Sequence, residues 1–197
     1  MLLLRAYAVE WMQLAKHRLN LRALVASAMM AALALTLPVA FHAAGLGSSF
    51  LPMLLPLLLN GFLVPITWAA LTGAVVPLAS GFLTGMPPFY PPIAFVMSVE
   101  AAVLASVAAA VFHLTKPRIW LPLIAAVVLS RGTMLWLTWQ LAGVFGLPKA
   151  FSAVASLVHG LPGVALQCTV VPLVLRLLLG RHSLLLPGQH DDQAPLL

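Results

Sequence analysis

Polar positions divide this chain into long apolar runs separated by short polar or proline-rich stretches. A membrane-spanning helix needs about 20 mostly apolar residues, with a range of roughly 17 to 25. The first such run is 21–41. The stretch 50–83 is also apolar throughout, but it carries Pro52, Pro56, Pro65 and Pro77. As one helix it would be about 50 Å long, too long for a hydrocarbon core of about 30 Å. It is therefore read as two short helices, 50–64 and 66–83, meeting near Val64-Pro65-Ile66. Further spans follow at 91–114, 119–142 and 152–179. The expectation is an all-α integral membrane protein, with a six-helix membrane domain over 21–180.

The flanks read differently. Residues 1–20 begin with a short apolar run and then carry Arg5, Glu10, Lys16 and Arg18. A secretory signal has the opposite order, charges before the apolar stretch. This segment is expected to be a cytoplasmic or interfacial amphipathic lead-in. Residues 181–197, with Gln189-His190-Asp191-Asp192, are expected to form a disordered cytoplasmic tail.

Charge placement tests the six-span division. With six spans, Arg5, Lys16, Arg18, Arg22, Lys116, Arg118, Arg176 and Arg181 share one side, and only Lys149 falls opposite. That is the positive-inside pattern, with both termini cytoplasmic. Merging the second and third spans would send Arg176 and Arg181 outside.

Composition leaves no soluble alternative. The 197 residues are 62% hydrophobic and 7% charged, with a mean hydropathy of +1.07. A soluble domain carries roughly 25% charged residues. The net charge of +6 is spread between apolar runs rather than gathered in one patch among aromatics, so nucleic acid is not an expected partner. The lone Cys168 excludes an internal disulfide or a cysteine metal cluster.

The few polar residues inside the runs carry the candidate chemistry. Glu100 and Arg131 are ionisable and deep, and each costs about 2.5–3.5 kcal/mol at a helix centre on insertion scales. Glu100 lies roughly 13 Å below the outer end of its span and Arg131 roughly 16 Å below the outer end of the next. Consecutive antiparallel helices place them together, either as an ion pair or as two poles holding a polar ligand. Asn60, Gln140, His159 and Gln167 reach similar depth. Trp136 and Trp139 are placed to stack on a flat ring or to serve as interfacial anchors. His159 alone reads equally as a packing histidine or a ligand contact. As a group these side chains predict a substrate pocket in the outer half of the bundle.

Two outer loops are candidates for a lid or for plain connectors. One is the uncharged 42–49 segment. The other is Thr84-Gly85-Met86-Pro87-Pro88-Phe89-Tyr90-Pro91-Pro92, stiffened by four prolines; its Tyr90 joins the candidate ligand residues. On the first span Ala23, Ser27 and Ala31 repeat every four residues, with Ala28 and Ala32 one face over. Small residues at that spacing allow close helix approach, within the bundle or to a partner membrane protein.

Several motifs are absent. The sequence has no phosphate-binding P-loop, no His-Glu-x-x-His zinc motif and no Gly-x-Ser-x-Gly nucleophile elbow. With one buried carboxylate and no run of intramembrane acids, self-powered uphill transport is not expected. Gly81-Phe-Leu-Thr-Gly85 fits Gly-x-x-x-Gly but lies at a span end beside prolines.

Four stretches resemble a known family, the substrate-binding S components of energy-coupling factor (ECF) vitamin transporters. They are Phe41-His42-Ala43-Ala44-Gly45-Leu46-Gly47 leading into Phe50-Leu51-Pro52-Met53 and Leu59-Asn60-Gly61-Phe62; Pro77-Leu78, Leu83-Thr84-Gly85-Met86-Pro87-Pro88 and Met97-Ser98-Val99-Glu100; Ser130-Arg131-Gly132; and Gly160-Leu161-Pro162-Gly163-Val164-Ala165-Leu166-Gln167 with Val171-Pro172-Leu173. Together they run over most of 21–179, and Thr-Gly-Met-Pro-Pro is the most specific. The chain departs from the pattern at Leu54, where relatives often have His, and at Asn60, which replaces a usual small residue. Both lie near the expected pocket, so no relative's substrate carries over.

The resemblance implies a non-enzymatic six-helix subunit of the cytoplasmic (inner) membrane that binds a vitamin or vitamin precursor from outside. It implies no cofactor in this chain. Its partners would be a transmembrane T subunit, met by the small-residue face of the first span, and two ATPase subunits. The competing expectations are a membrane-embedded enzyme acting on a lipid-like substrate and a structural subunit with no ligand.

Overall fold

The computed structural model describes residues 2–43, 45, 50–90, 92–115, 118–144 and 149–184, with side chains described for 21–43, 45, 50–90, 92–115, 118–143, 158 and 160–178. Among these residues the chain is all helix and connecting turn. The helices are α1 (Leu2–Ala43), α2 (Leu54–Leu63), α3 (Ile66–Thr84), α4 (Ile93–Thr115), α5 (Trp120–Val144) and α6 (Lys149–Leu184). Residues 2–20 continue as helix into the first span, and residues 181–184 continue α6 rather than starting a tail. Residues 185–197 lie outside the described residues.

Five helices are long and apolar enough to cross a membrane: Leu21–Ala43, Ile66–Thr84, Ile93–Thr115, Trp120–Gly143 and Gly160–Leu178. The chain is thus a multi-pass membrane protein. The second expected span differs. Its helix α2 has ten residues, or about 15 Å, half the hydrocarbon thickness. Proline chemistry sets its lower end. Pro65 forces the preceding residue out of the helical region, and Val64 is extended at φ −129°, ψ 161°. Pro65 then occupies the N-cap of α3. At the far end of α3, Gly85 closes the helix in the left-handed region at φ 73°, a conformation that glycine adopts without a Cβ penalty.

Every residue of α2 from Leu54 to Phe62 is buried. The helix has no lipid-facing stripe and forms the centre of the core with Leu104, Leu123, Val171 and Leu175. Small residues let its neighbours close on it. A Cβ on Gly61 would stand 2.5 Å from the Ala105 carbonyl oxygen, and one on Gly73 would stand 2.5 Å from that of Ala101. The fully buried Ala101, Ala105, Ala108 and Ala109 form the α4 side of these contacts. Ser98 Oγ adds a 2.7 Å hydrogen bond to the Ala74 carbonyl between α4 and α3.

The small-residue face expected on α1 is divided. Ala23 and Ser27 are buried against this chain, Ala31 is partly buried, and Ala28 and Ala32 are exposed. Ala23 packs with Val64, Ala69, Ala105 and Ala109. Partner docking through Ala23 and Ser27 is therefore corrected to packing within the bundle, because their surfaces are already covered. Gly81 is also a packing position. A Cβ there would lie 2.9 Å from the Phe89 ring, so the Gly81/Gly85 pair shapes a turn.

Chain direction alternates. The C-terminus of α1, the turn before α2, the C-terminus of α3 and the N-terminus of α4 surround one cavity and so share one end. Val64 packs beside Ala23 and Ala109 toward the other end, where the Phe62 and Phe112 rings meet edge to face at 5.2 Å.

Candidate functional site

Two sites stand close together at the cavity end of the bundle. The first is the buried ion pair. Arg131 on α5 directs NH2 at Glu100 Oε1 on α4, and both side chains are at least nine-tenths buried. Arg131 NH1 also donates to Met134 Sδ at 3.5 Å. The pair is in direct contact, as the ion-pair expectation has it. Gly160 on α6 makes room for the guanidinium, since a Cβ there would lie 3.0 Å from NH1 and 3.3 Å from Leu51 Cδ1.

Two amides lie deeper. Asn60 accepts from Ser27 Oγ at 3.3 Å. Asn60 Nδ2, Gln167 Nε2 and Arg131 Nε have no hydrogen-bond partner among the described residues. A buried polar atom left unpaired costs about 1–3 kcal/mol, so these three N–H donors are places for water or for an acceptor group of a ligand.

The second site is a cavity of about 490 Å³. Leu35, Pro38, Val39 and His42 of α1 form one wall, and Leu51, Pro52 and Met53 form another. Ser80 and Thr84 of α3, the Met86-Pro87-Pro88 turn, and Ile93 and Met97 of α4 complete it. The proline-rich turn is pinned in place. Ser80 Oγ donates to the Met86 carbonyl at 2.6 Å, Ala94 N donates to the Pro88 carbonyl at 3.0 Å, and Phe89 stacks between Phe82 and Phe95 at 4.7 and 5.8 Å. Of the lid and connector readings, this loop does more than connect, because it supplies a wall.

Leu51 separates the two sites. It lines the cavity, and its Cδ1 faces the Gly160 position that borders Arg131. Its φ of 47° is left-handed, which costs a bulky residue roughly 1–3 kcal/mol. Gly163 holds the turn, since a Cβ there would lie 2.7 Å from the Phe50 carbonyl oxygen. Met97 is one helical turn above Glu100 on α4 and likewise lines the cavity.

The expected pocket residues are thus divided. Glu100, Arg131, Asn60 and Gln167 are buried in the interior. None of these four lines the cavity. Trp136 is 60% exposed and Tyr90 81% exposed, and Gln140 is exposed as well. None of these three is among the residues that line the cavity. The side chain of His159 lies outside the described residues.

Sequence reasoning missed His42, Ser80, Met53 and Met97 as cavity residues. Only the two flanking loops gave a signal for them. Compared with protein-family models, curated proteins and solved structures, the chain finds no match.

Proposed function

We propose that this chain is a membrane-embedded solute-binding subunit, an S component of an ECF-type uptake system. It takes a vitamin-sized molecule from the outer face and relies on a T subunit and two ATPase subunits for energy. The cavity carries this reading. Its volume, about 490 Å³, falls within the roughly 300–1,000 Å³ range of small-molecule sites. It opens at one end of the bundle beneath a pinned proline-rich turn.

In this reading the cavity end faces outward and both termini face the cytoplasm across the inner membrane. The buried α2, with the turn that precedes it, then makes the sixth crossing among the five longer helices. The sequence resemblance supports the same assignment, and the distribution of basic residues supports the orientation.

The test is ligand-dependent stabilisation. The purified protein in detergent is heated with a panel of vitamins and their precursors, and co-purified small molecules are identified by mass spectrometry. A ligand at 100 times its Kd adds about 2.7 kcal/mol of stability, a clear upward shift in Tm. A panel without a single shift, together with an empty extract, rejects the solute-binding reading.

A further inference from the structure

Among the described residues, the polar side chains of the cavity all offer lone pairs. His42 Nδ1 lies 2.7 Å from the Pro38 carbonyl oxygen. A carbonyl only accepts, so Nδ1 carries the ring proton, and in the neutral ring Nε2 is left as a bare acceptor. Ser80 Oγ has given its proton to the Met86 carbonyl at 2.6 Å. Thr84 Oγ1 donates to the Ser80 carbonyl at 2.8 Å and receives the Met86 N–H at 3.3 Å. Among the described residues, the His42 ring and the Ser80 and Thr84 hydroxyls have therefore committed their protons inside the protein. What each turns to a guest is a lone pair.

Pro38, Pro52, Pro87 and Pro88 line the cavity, and a proline brings no N–H to it. The remaining soft groups are the thioethers of Met53, Met86 and Met97, which are weak acceptors and adaptable apolar surface. Among the described residues, no acidic, lysine or arginine side chain lines the cavity.

We infer that the cavity selects an apolar molecule bearing a hydrogen-bond donor, a hydroxyl or an amine, and rejects the isosteric carboxylate. The inference rests on the solute-binding reading and names its substrate class. A donor group finds unused lone pairs at His42, Ser80 and Thr84. A carboxylate brings only lone pairs of its own and leaves both sides unpaired, a mismatch that hydrogen-bonding sites reject strongly.

Three naphthyl probes of matched shape test this: 2-(1-naphthyl)ethylamine, 2-(1-naphthyl)ethanol and 3-(1-naphthyl)propanoate. Binding to the full-length protein in detergent at pH 8 is measured by equilibrium dialysis against detergent alone. Val39→Trp, which fills the cavity, identifies the fraction bound there. The amine and the alcohol are expected to bind at least tenfold more tightly than the propanoate. His42→Phe, which keeps a ring without an acceptor, should reduce that ratio below threefold, and His42→Gln, which keeps an acceptor, should preserve it. Equal or tighter binding of the propanoate overturns the inference, as does a preference that survives His42→Phe. If all three probes bind in the cavity alike, the solute-binding reading stands and only the donor preference fails. If none shows binding that Val39→Trp removes, both fail.

Discussion

Glu100 is the single acidic residue between positions 21 and 180, and it ends against Arg131. Removing one member of a buried pair leaves the other uncompensated, at a cost of about 3–5 kcal/mol. Arg131→Met and Glu100→Gln should therefore each lower stability by about that amount in detergent unfolding. The double variant should recover part of the loss, since it leaves no uncompensated buried charge. A double-mutant cycle with no coupling would mean that the charges act separately. This pair was legible in the sequence because ionisable residues are rare in apolar helices and their depths in consecutive spans matched. The cavity lining was not legible. Met53, Met97 and Leu35 suit a ligand pocket, a lipid-facing surface and a packed core equally well, and an apolar chain gives nothing to tell these apart. Trp136 and Gln140 show the converse: polar or aromatic character marked them as unusual, but not that their helix face is exposed.

At the scale of elements, glycines on α2 and α3 do the work that sequence reading assigned to small residues on α1. Gly73 faces the backbone of Ala101, which cannot move aside as a side-chain tip can. Gly73→Ala should push α3 from α4 and cost about 1–3 kcal/mol, the usual range for overpacking. Gly132, in the middle of α5, has nothing within 4 Å of its Cβ position. Gly132→Ala should be neutral or stabilising by about 0.5–1 kcal/mol through helix propensity alone. Parallel thermal denaturation of the two variants checks both signs. The helix boundaries themselves were legible wherever proline or glycine set them, as at Val64-Pro65 and Gly85. The shortness of α2 was not, since its apolar run continues through Phe50 and Leu51 into a turn.

For the whole molecule, the alternating helix directions place residue 85 and residue 118 at opposite ends. In a Cys168→Ala background, a cysteine at Gly85 should react with an impermeant thiol reagent on intact cells, and one at Arg118 only after permeabilisation. The reverse pattern would invert the proposed orientation. Equal labelling of both would break the alternation. The basic residues supply the expected orientation that this labelling tests. The existence of five apolar crossings was plain, because each carries about 20 residues without a charge beyond one or two. How the sixth segment is accommodated was hidden, because burial on all sides looks no different in sequence from burial in lipid.

That enclosed segment bears on how the protein is made. A ten-residue helix surrounded by its own chain gains little from the bilayer by itself and must wait for the surfaces that receive it. Those surfaces are the Gly73 region of α3 and the alanine stripe of α4, which are synthesised after it. Ribosome-bound chains that stop before Ile93 should leave a cysteine at Leu58 open to a membrane-permeant maleimide, and chains extended well past Thr115 should shield it. α2 is then the first of the inner elements to be translated and among the last to settle, and the order of synthesis differs from the order of assembly.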